Sequence, residues 1–148
     1  MHKHIMLPLD GSELSLKAVD EGIGMAKALG SRMTLITVVS PYHTGVTSRL
    51  TADLAHEIEN GRDSEHKKEA IELHARISAR VTSARVPCES LVVLGDDPSA
   101  QIIENAQARD CDLIIMASHG RKGLDALLLG SETVKVLTHS KIPVLVVR

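Results

Sequence analysis

Residues 112–137 read DLIIMASHGRKGLDALLLGSETVKVL. The run opens as DLIIMA, apolar at every position after its aspartate, then passes into a segment with glycines at 120, 123 and 130. A helix is predicted to follow over 131–138. A strand that is apolar on both faces must be covered on both faces, which is the condition inside a parallel sheet. Strand, glycine turn and helix together form half of a strand–helix–strand crossover.

Working outward, the same alternation repeats. HIMLPL (4–9) reads as a first strand that ends at Asp10-Gly11-Ser12, with Ser12 suited to cap the next helix. Leu16, Val19, Ile23 and Ala26 share one face of that helix, and Gly30 suits the position just past its end. RMTLITVV (32–39) is a second strand. Residues 42–49 read as a loop, and 51–60 as a turn or two of helix broken by Gly61. A longer helix is predicted over 64–83, with Ala70, Ile71, His74, Ile77 and Val81 on its inner face. CESLVVL (88–94) is a third strand, and Asp96-Asp97-Pro98 starts a helix carrying Ile102, Ile103 and Ala106. PVLVV (143–147) is a fifth strand. The expectation is one α/β domain over 1–148: an open, doubly wound, parallel five-stranded sheet in the order 3-2-1-4-5, with helices on both faces.

Composition narrows the functions open to such a domain. The chain has 148 residues, 43 % of them hydrophobic and 24 % charged, with one Tyr and no Phe or Trp. The core must be aliphatic, and the stacking platforms of single-strand nucleic-acid binding are missing. Net charge is −2 with acids and bases interspersed, so there is no basic footprint for DNA or RNA. No apolar run approaches membrane-spanning length, and MHKHIMLPLD does not fit a signal peptide. Cys88 and Cys111 form no C-x-x-C and read as buried, reduced thiols of a cytoplasmic protein. The eight histidines make no metal-ligand motif.

In this sheet order the ligand crevice lies beyond the carboxyl ends of strands one and four, where the order reverses. Leu9-Asp10 and Met116-Ala117 end those strands, so the glycine-rich segment begins opposite Asp10. Glycines let backbone N–H groups approach phosphate oxygens, and Gly130-Ser131 stands at a helix start that favours an anion. The Ser131 hydroxyl either caps that helix or donates to a phosphate. Asp10 suits ribose hydroxyls, or helps hold a Mg²⁺ or Mn²⁺ that arrives with a nucleotide. Ser118 and His119 read as loop residues supporting the turn and touching phosphate, because neighbouring side chains on an extended chain point apart. The elbow G-x-S-x-G of hydrolases is absent, with Met116 at its first position.

With these residues in view the chain resembles the universal stress proteins. Family members that bind ATP carry G-x2-G-x9-G-[S/T] after the fourth strand. Here Gly120, nine residues, and Gly130-Ser131 match, while Ala117 stands at the first glycine. MLPLDGS, VVLGDDPSAQII and VLTHSKIPVLVV extend the likeness along the chain. The resemblance implies an adenine nucleotide (ATP, ADP or AMP) in the crevice. Pro8, Leu9 and Asp10 would line the adenosine side, and the backbone of Val39, or of Val38 beside it, would meet the adenine edge. Met116 and Ala117 would lie against ribose and phosphates. Gly120, Gly130, Ser131 and the Glu132 backbone would cradle the phosphates. Glu132 either adds negative charge there, offset by Arg121 and Lys122, or points outward and complements a helix N-terminus. The apolar fifth strand, at a sheet edge, implies a homodimer through Val144–Val147. The expected function is a dimeric nucleotide-binding stress sensor. A slow ATPase or phosphotransferase in the same cleft, or an interaction module without nucleotide, are the other readings.

Overall fold

The computed structural model describes residues 1–41, 52–120 and 129–148, and only the backbone of 52–59. Predictions for residues 42–49, and for Arg121 and Lys122, lie outside the described residues. Five parallel strands form one sheet: β1 (His4–Pro8), β2 (Arg32–Val39), β3 (Cys88–Leu94), β4 (Leu113–Ala117) and β5 (Val144–Val147). Their order is β3-β2-β1-β4-β5, as the sequence predicts. Ile5 stands in register with Met33 on one side and Leu113 on the other, and Ile114 with Val144.

Strand alternation divides the core between the two faces. Ile5, Leu7, Leu35 and Ile115 pack beneath α1 (Glu13–Leu29) and α2 (Ala52–Ser83). Met6, Ile36, Ile114 and Met116 pack beneath α3 (Pro98–Ala108) and α4 (Ser131–His139). Cys88 and Cys111, both free, belong to opposite faces, and burial pushes each thiol up to about 11. No helix among the described residues is long and apolar enough to cross a membrane.

Helix ends follow their residues. Ser12 caps α1 by accepting from the Ser15 N–H at 3.1 Å. Gly30 closes it at φ 67°, a conformation that costs glycine nothing. Asp97 caps α3, accepting from the Ala100 N–H at 3.2 Å and the Ser99 hydroxyl at 2.7 Å. These two bonds hold the Asp97 carboxyl below the usual aspartate value.

Two expectations about α2 need correction. Gly61 does not break the helix, which runs unbroken from Ala52 to Ser83. A helical glycine costs only about 1 kcal/mol against alanine, too little by itself to end a helix. Ile71 is not on the inner face and is 51 % exposed; Leu73 takes its place, with Ala70, His74, Ile77 and Val81. At about 100° per residue, position 71 lies a quarter-turn off the stripe set by Ala70, Ile77 and Val81.

Gly24, exposed in the middle of α1, has nothing within 4 Å of where a Cβ would stand. Gly24→Ala is therefore expected to stabilise the fold by about 1 kcal/mol, read as a higher Tm in thermal melts.

Two buried histidines make stability depend on pH. His4 donates from Nδ1 to the Arg109 carbonyl (2.9 Å), and its Nε2 lies 2.8 Å from the Thr34 hydroxyl oxygen, which also lies 3.4 Å from the Glu89 carboxylate. Burial, with the Arg32 charge adding, lowers its pKa; burial alone lowers that of His74. Both folded values lie below the ordinary 6.5, so on the acid side the unfolded chain binds the extra protons. Stability is expected to hold above about pH 7 and to fall as pH drops through 6.5 and below. Denaturant midpoints from pH 8 to pH 5 measure this; an acid-stabilised fold would contradict it.

Candidate functional site

Each crossover returns the chain so that α1, α3 and α4 begin at the edge where the strands end. A cavity of about 640 Å³ opens there, between the ends of β1, β2 and β4. Pro8, Leu9 and Asp10 line it from the end of β1, and Met116, Ala117, His119 and Gly120 from the end of β4 beside it and the residues that follow. Gly130, Ser131 and Glu132 line it from the start of α4, and Val38 from the end of β2. The topology thus brings together residues more than a hundred positions apart.

Asp10 is held in place. Its Oδ1 accepts from the Ser12 N–H at 2.9 Å, and its Oδ2 lies only 2.6 Å from where a Cβ on Gly120 would stand. The carboxylate therefore rests against the bare backbone of Gly120. The two ends of the glycine-rich segment are tied by the Gly130 N–H, which donates to the Ser118 carbonyl at 2.7 Å. The Thr133 hydroxyl donates to the Ala117 carbonyl at 3.0 Å and fixes α4 on the end of β4.

The helix N-termini here are finished differently. Those of α1 and α3 carry side-chain caps, whereas α4 begins at Gly130 with none. Ser131, expected either to cap α4 or to donate to a phosphate, does not cap it: it is the first helical residue, and its backbone N–H belongs to an uncapped turn. Glu132 does not face an anion at α4. Its Oε2 accepts from the Ser99 N–H at 2.9 Å, reinforcing the start of α3, and its Oε1 pairs with Lys135 at 3.0 Å. That pairing raises the Lys135 pKa.

The choice between Val38 and Val39 is made by strand alternation. The Val39 carbonyl accepts from the Gly95 N–H at 3.1 Å, on the β3 side. Ile36 faces the other way, its carbonyl accepting from the Leu9 N–H at 2.8 Å. Val38 shares the Ile36 direction, so its backbone groups point past the end of β1 into the cavity, and Val39 is not on the wall. Ser118 is likewise off the wall and 4 % exposed. Contrary to the expectation that the pair points apart, its Oγ lies 3.2 Å from His119 Nδ1. The bend after β4 brings the two side chains together, but Ser118 stays beneath the surface.

Several wall residues escape sequence reasoning. Ile36, Pro98 and Ile102 form an apolar flank, and Thr37 and Ser40 line the β2 end. A signal existed for the first of these, since Ile36 and Val38 share a strand face and α3 starts at the same edge as α4. Chemically, the cavity offers an apolar slot, one fixed carboxylate and one uncapped helix start. Among the described residues no three His, Cys, Asp or Glu cluster to hold a metal; Asp10 is one carboxylate, short of a metal site by itself.

A profile described as the Universal stress protein family matches residues 1–148. Universal stress protein MJ0531 of Methanocaldococcus jannaschii is 32 % identical over 154 residues, covering 100 % of this chain and 83 % of its own. Universal stress protein YxiE of Bacillus subtilis is 30 % identical over 156 residues, covering 100 % of both. Among solved structures, hypothetical protein MJ0577 superposes with a TM-score of 0.86 at 28 % identity, covering 99 % of this chain and 96 % of that one. A universal stress protein in complex with cAMP superposes at 0.71 and 22 % identity, covering 99 % and 97 %. One from Archaeoglobus fulgidus in complex with dAMP superposes at 0.65 and 16 % identity, covering 100 % and 98 %. With its whole length matched by the family profile and by relatives of this identity, the chain belongs to the universal stress protein family.

Proposed function

We propose that this chain binds an adenine nucleotide, ATP, ADP or AMP, in the cavity at the ends of β1 and β4, and acts as a dimeric sensor of it. The observation that carries this reading is the uncapped start of α4, which lines the same cavity as the fixed Asp10 carboxylate and the apolar Ile36, Ile102 and Met116. The phosphates take the N–H groups of Ser131 and Glu132, the ribose hydroxyls donate to Asp10, and the base lies by Met116 and the Val38 backbone. A Mg²⁺ or Mn²⁺ would come with the phosphates, with Asp10 the residue that can help hold it. His119 and Gly120 border the phosphate end.

Ala117 is compatible with this arrangement. Among the described residues, the non-glycine positions with positive φ are Arg85 and Asp110, so Ala117 keeps ordinary backbone without strain. The cAMP and dAMP complexes share this chain's fold, and at their identities that is all they contribute. The support for a nucleotide comes from the cavity's own groups.

The test is to release bound small molecules from purified protein by denaturation, then titrate the emptied protein with ATP, ADP and AMP by calorimetry. Saturable binding is expected, and none at millimolar nucleotide would overturn the reading. Several turnovers of ATP per minute would favour an enzyme. The dimer is supported by β5, at the sheet edge, where Leu145 is 37 % exposed, and by Val134 and Leu137 on α4, 45 % and 40 % exposed. Light scattering should give twice the chain mass, and Leu145→Asp a monomer.

A further inference from the structure

Behind the cavity a chain of hydrogen bonds runs from α2 to the residue that precedes Asp10. The Thr37 hydroxyl donates to the Leu9 carbonyl. Its Oγ1 also lies 2.7 Å from His74 Nε2. A hydroxyl has one hydrogen, and a carbonyl can only accept. Thr37 therefore spends its proton on Leu9, and His74 must be the donor, with its proton on Nε2. A neutral ring then carries a bare Nδ1, and Nδ1 is the ring atom that is buried with no hydrogen-bond partner among the described residues. His74 itself is 2 % exposed. Leu9 and Thr37 both line the cavity, so the relay ends on its wall.

We propose that His74 is a positioning residue of the cleft, acting through Thr37 on the Leu9–Asp10 segment, and that it makes nucleotide affinity depend on pH. The proposal rests on the nucleotide reading above. Neutral His74 supplies the Nε2–H that orients Thr37. A second proton would sit on Nδ1, where no described residue accepts it, and would place a charge on a buried ring. Acid therefore turns the ring out, frees Thr37, and loosens the carbonyl that fixes the Asp10 backbone.

Other groups near α2 do not reproduce this behaviour. The strands packed against it are β2 and β3. On β3, Cys88 shares the α2 face as a neutral thiol; Glu89 of β3 and Arg32 of β2 sit at the odd-even positions of the opposite face. Arg80 of α2 pairs at the surface with Asp20 of α1. Burial is the cause that lowers the His74 pKa.

The test compares the wild-type chain with His74→Gln and Thr37→Val in calorimetric titrations with ATP at pH 8 and pH 5. Gln keeps an N–H donor at the same reach but does not titrate, and titration of the ATP phosphates is common to all variants. Wild type and His74→Gln are expected to bind alike at pH 8. At pH 5 the wild type should be weaker than His74→Gln, with the gap widening toward a factor of about ten for each pH unit below the folded pKa. Thr37→Val should be weak at both. Equal pH profiles for wild type and His74→Gln would overturn the proposal. So would a ¹⁵N spectrum of the unliganded wild-type chain at pH 8 with the His74 proton on Nδ1. Failure of the wild type to bind ATP at pH 8 would overturn the nucleotide reading instead, and the tautomer would still decide the relay.

Discussion

Gly120→Ala is expected to weaken nucleotide binding by roughly 10- to 100-fold while leaving the fold intact. A Cβ at this position would stand 2.6 Å from Asp10 Oδ2, far inside contact distance. Either the carboxylate swings away, losing its bond from the Ser12 N–H, or the segment after β4 shifts. In both cases the ribose loses a charged acceptor, an interaction of about 1.5–3 kcal/mol, which is the factor quoted. Asp10→Ala removes the same acceptor directly. If the two act through one contact, Asp10→Ala with Gly120→Ala should bind no worse than Asp10→Ala alone. Calorimetry reads the affinities, and circular dichroism confirms that the variants fold. Full additivity of the two losses would show that Gly120 serves the ligand by some other route.

Ile115→Ala should produce the largest loss of stability. Ile115 is fully buried in β4, in the interior of the sheet, beneath α1. Emptying such a site costs about 2–5 kcal/mol, from lost transfer free energy and from the cavity left behind. For a chain of this length that is a fall in Tm of roughly 5–20 °C. Ile71 on α2, 51 % exposed, provides the control. Ile71→Ala should cost well under half as much in the same melts. Similar losses at the two positions would contradict the burial difference between them.

The strand order was legible because the strands are rich in aliphatic residues and each connection is long enough for a helix. The cleft was legible for a related reason. Once the order is known, Leu9-Asp10 and Met116-Ala117 must end side by side, and the glycines follow from there. What could not be read depends on partners outside the local segment. Glu132 was assigned to its own helix or to a phosphate, yet its carboxylate is engaged by Ser99 on α3. Nothing within five residues of Glu132 announces that. Ser131 carries a residue type that favours caps, but Gly130 already adopts the extended cap conformation, with φ −62° and ψ 150°, one residue earlier. His74 reads as a polar residue on an apolar stripe, and only the position of Thr37 across the helix–sheet interface gives it a role. Ile71 and Gly61 were misjudged by local rules: Gly61 costs its helix only about 1 kcal/mol, and Ile71 is apolar by type but a quarter-turn off the buried stripe.

The bond from the Gly130 N–H to the Ser118 carbonyl has a consequence for how this protein can diversify. It holds Ser118 and Gly130 against each other directly, so the end of β4 and the start of α4 stay together whatever the cavity holds. Descendants could therefore change what the cavity accepts and keep the same junction of strand and helix.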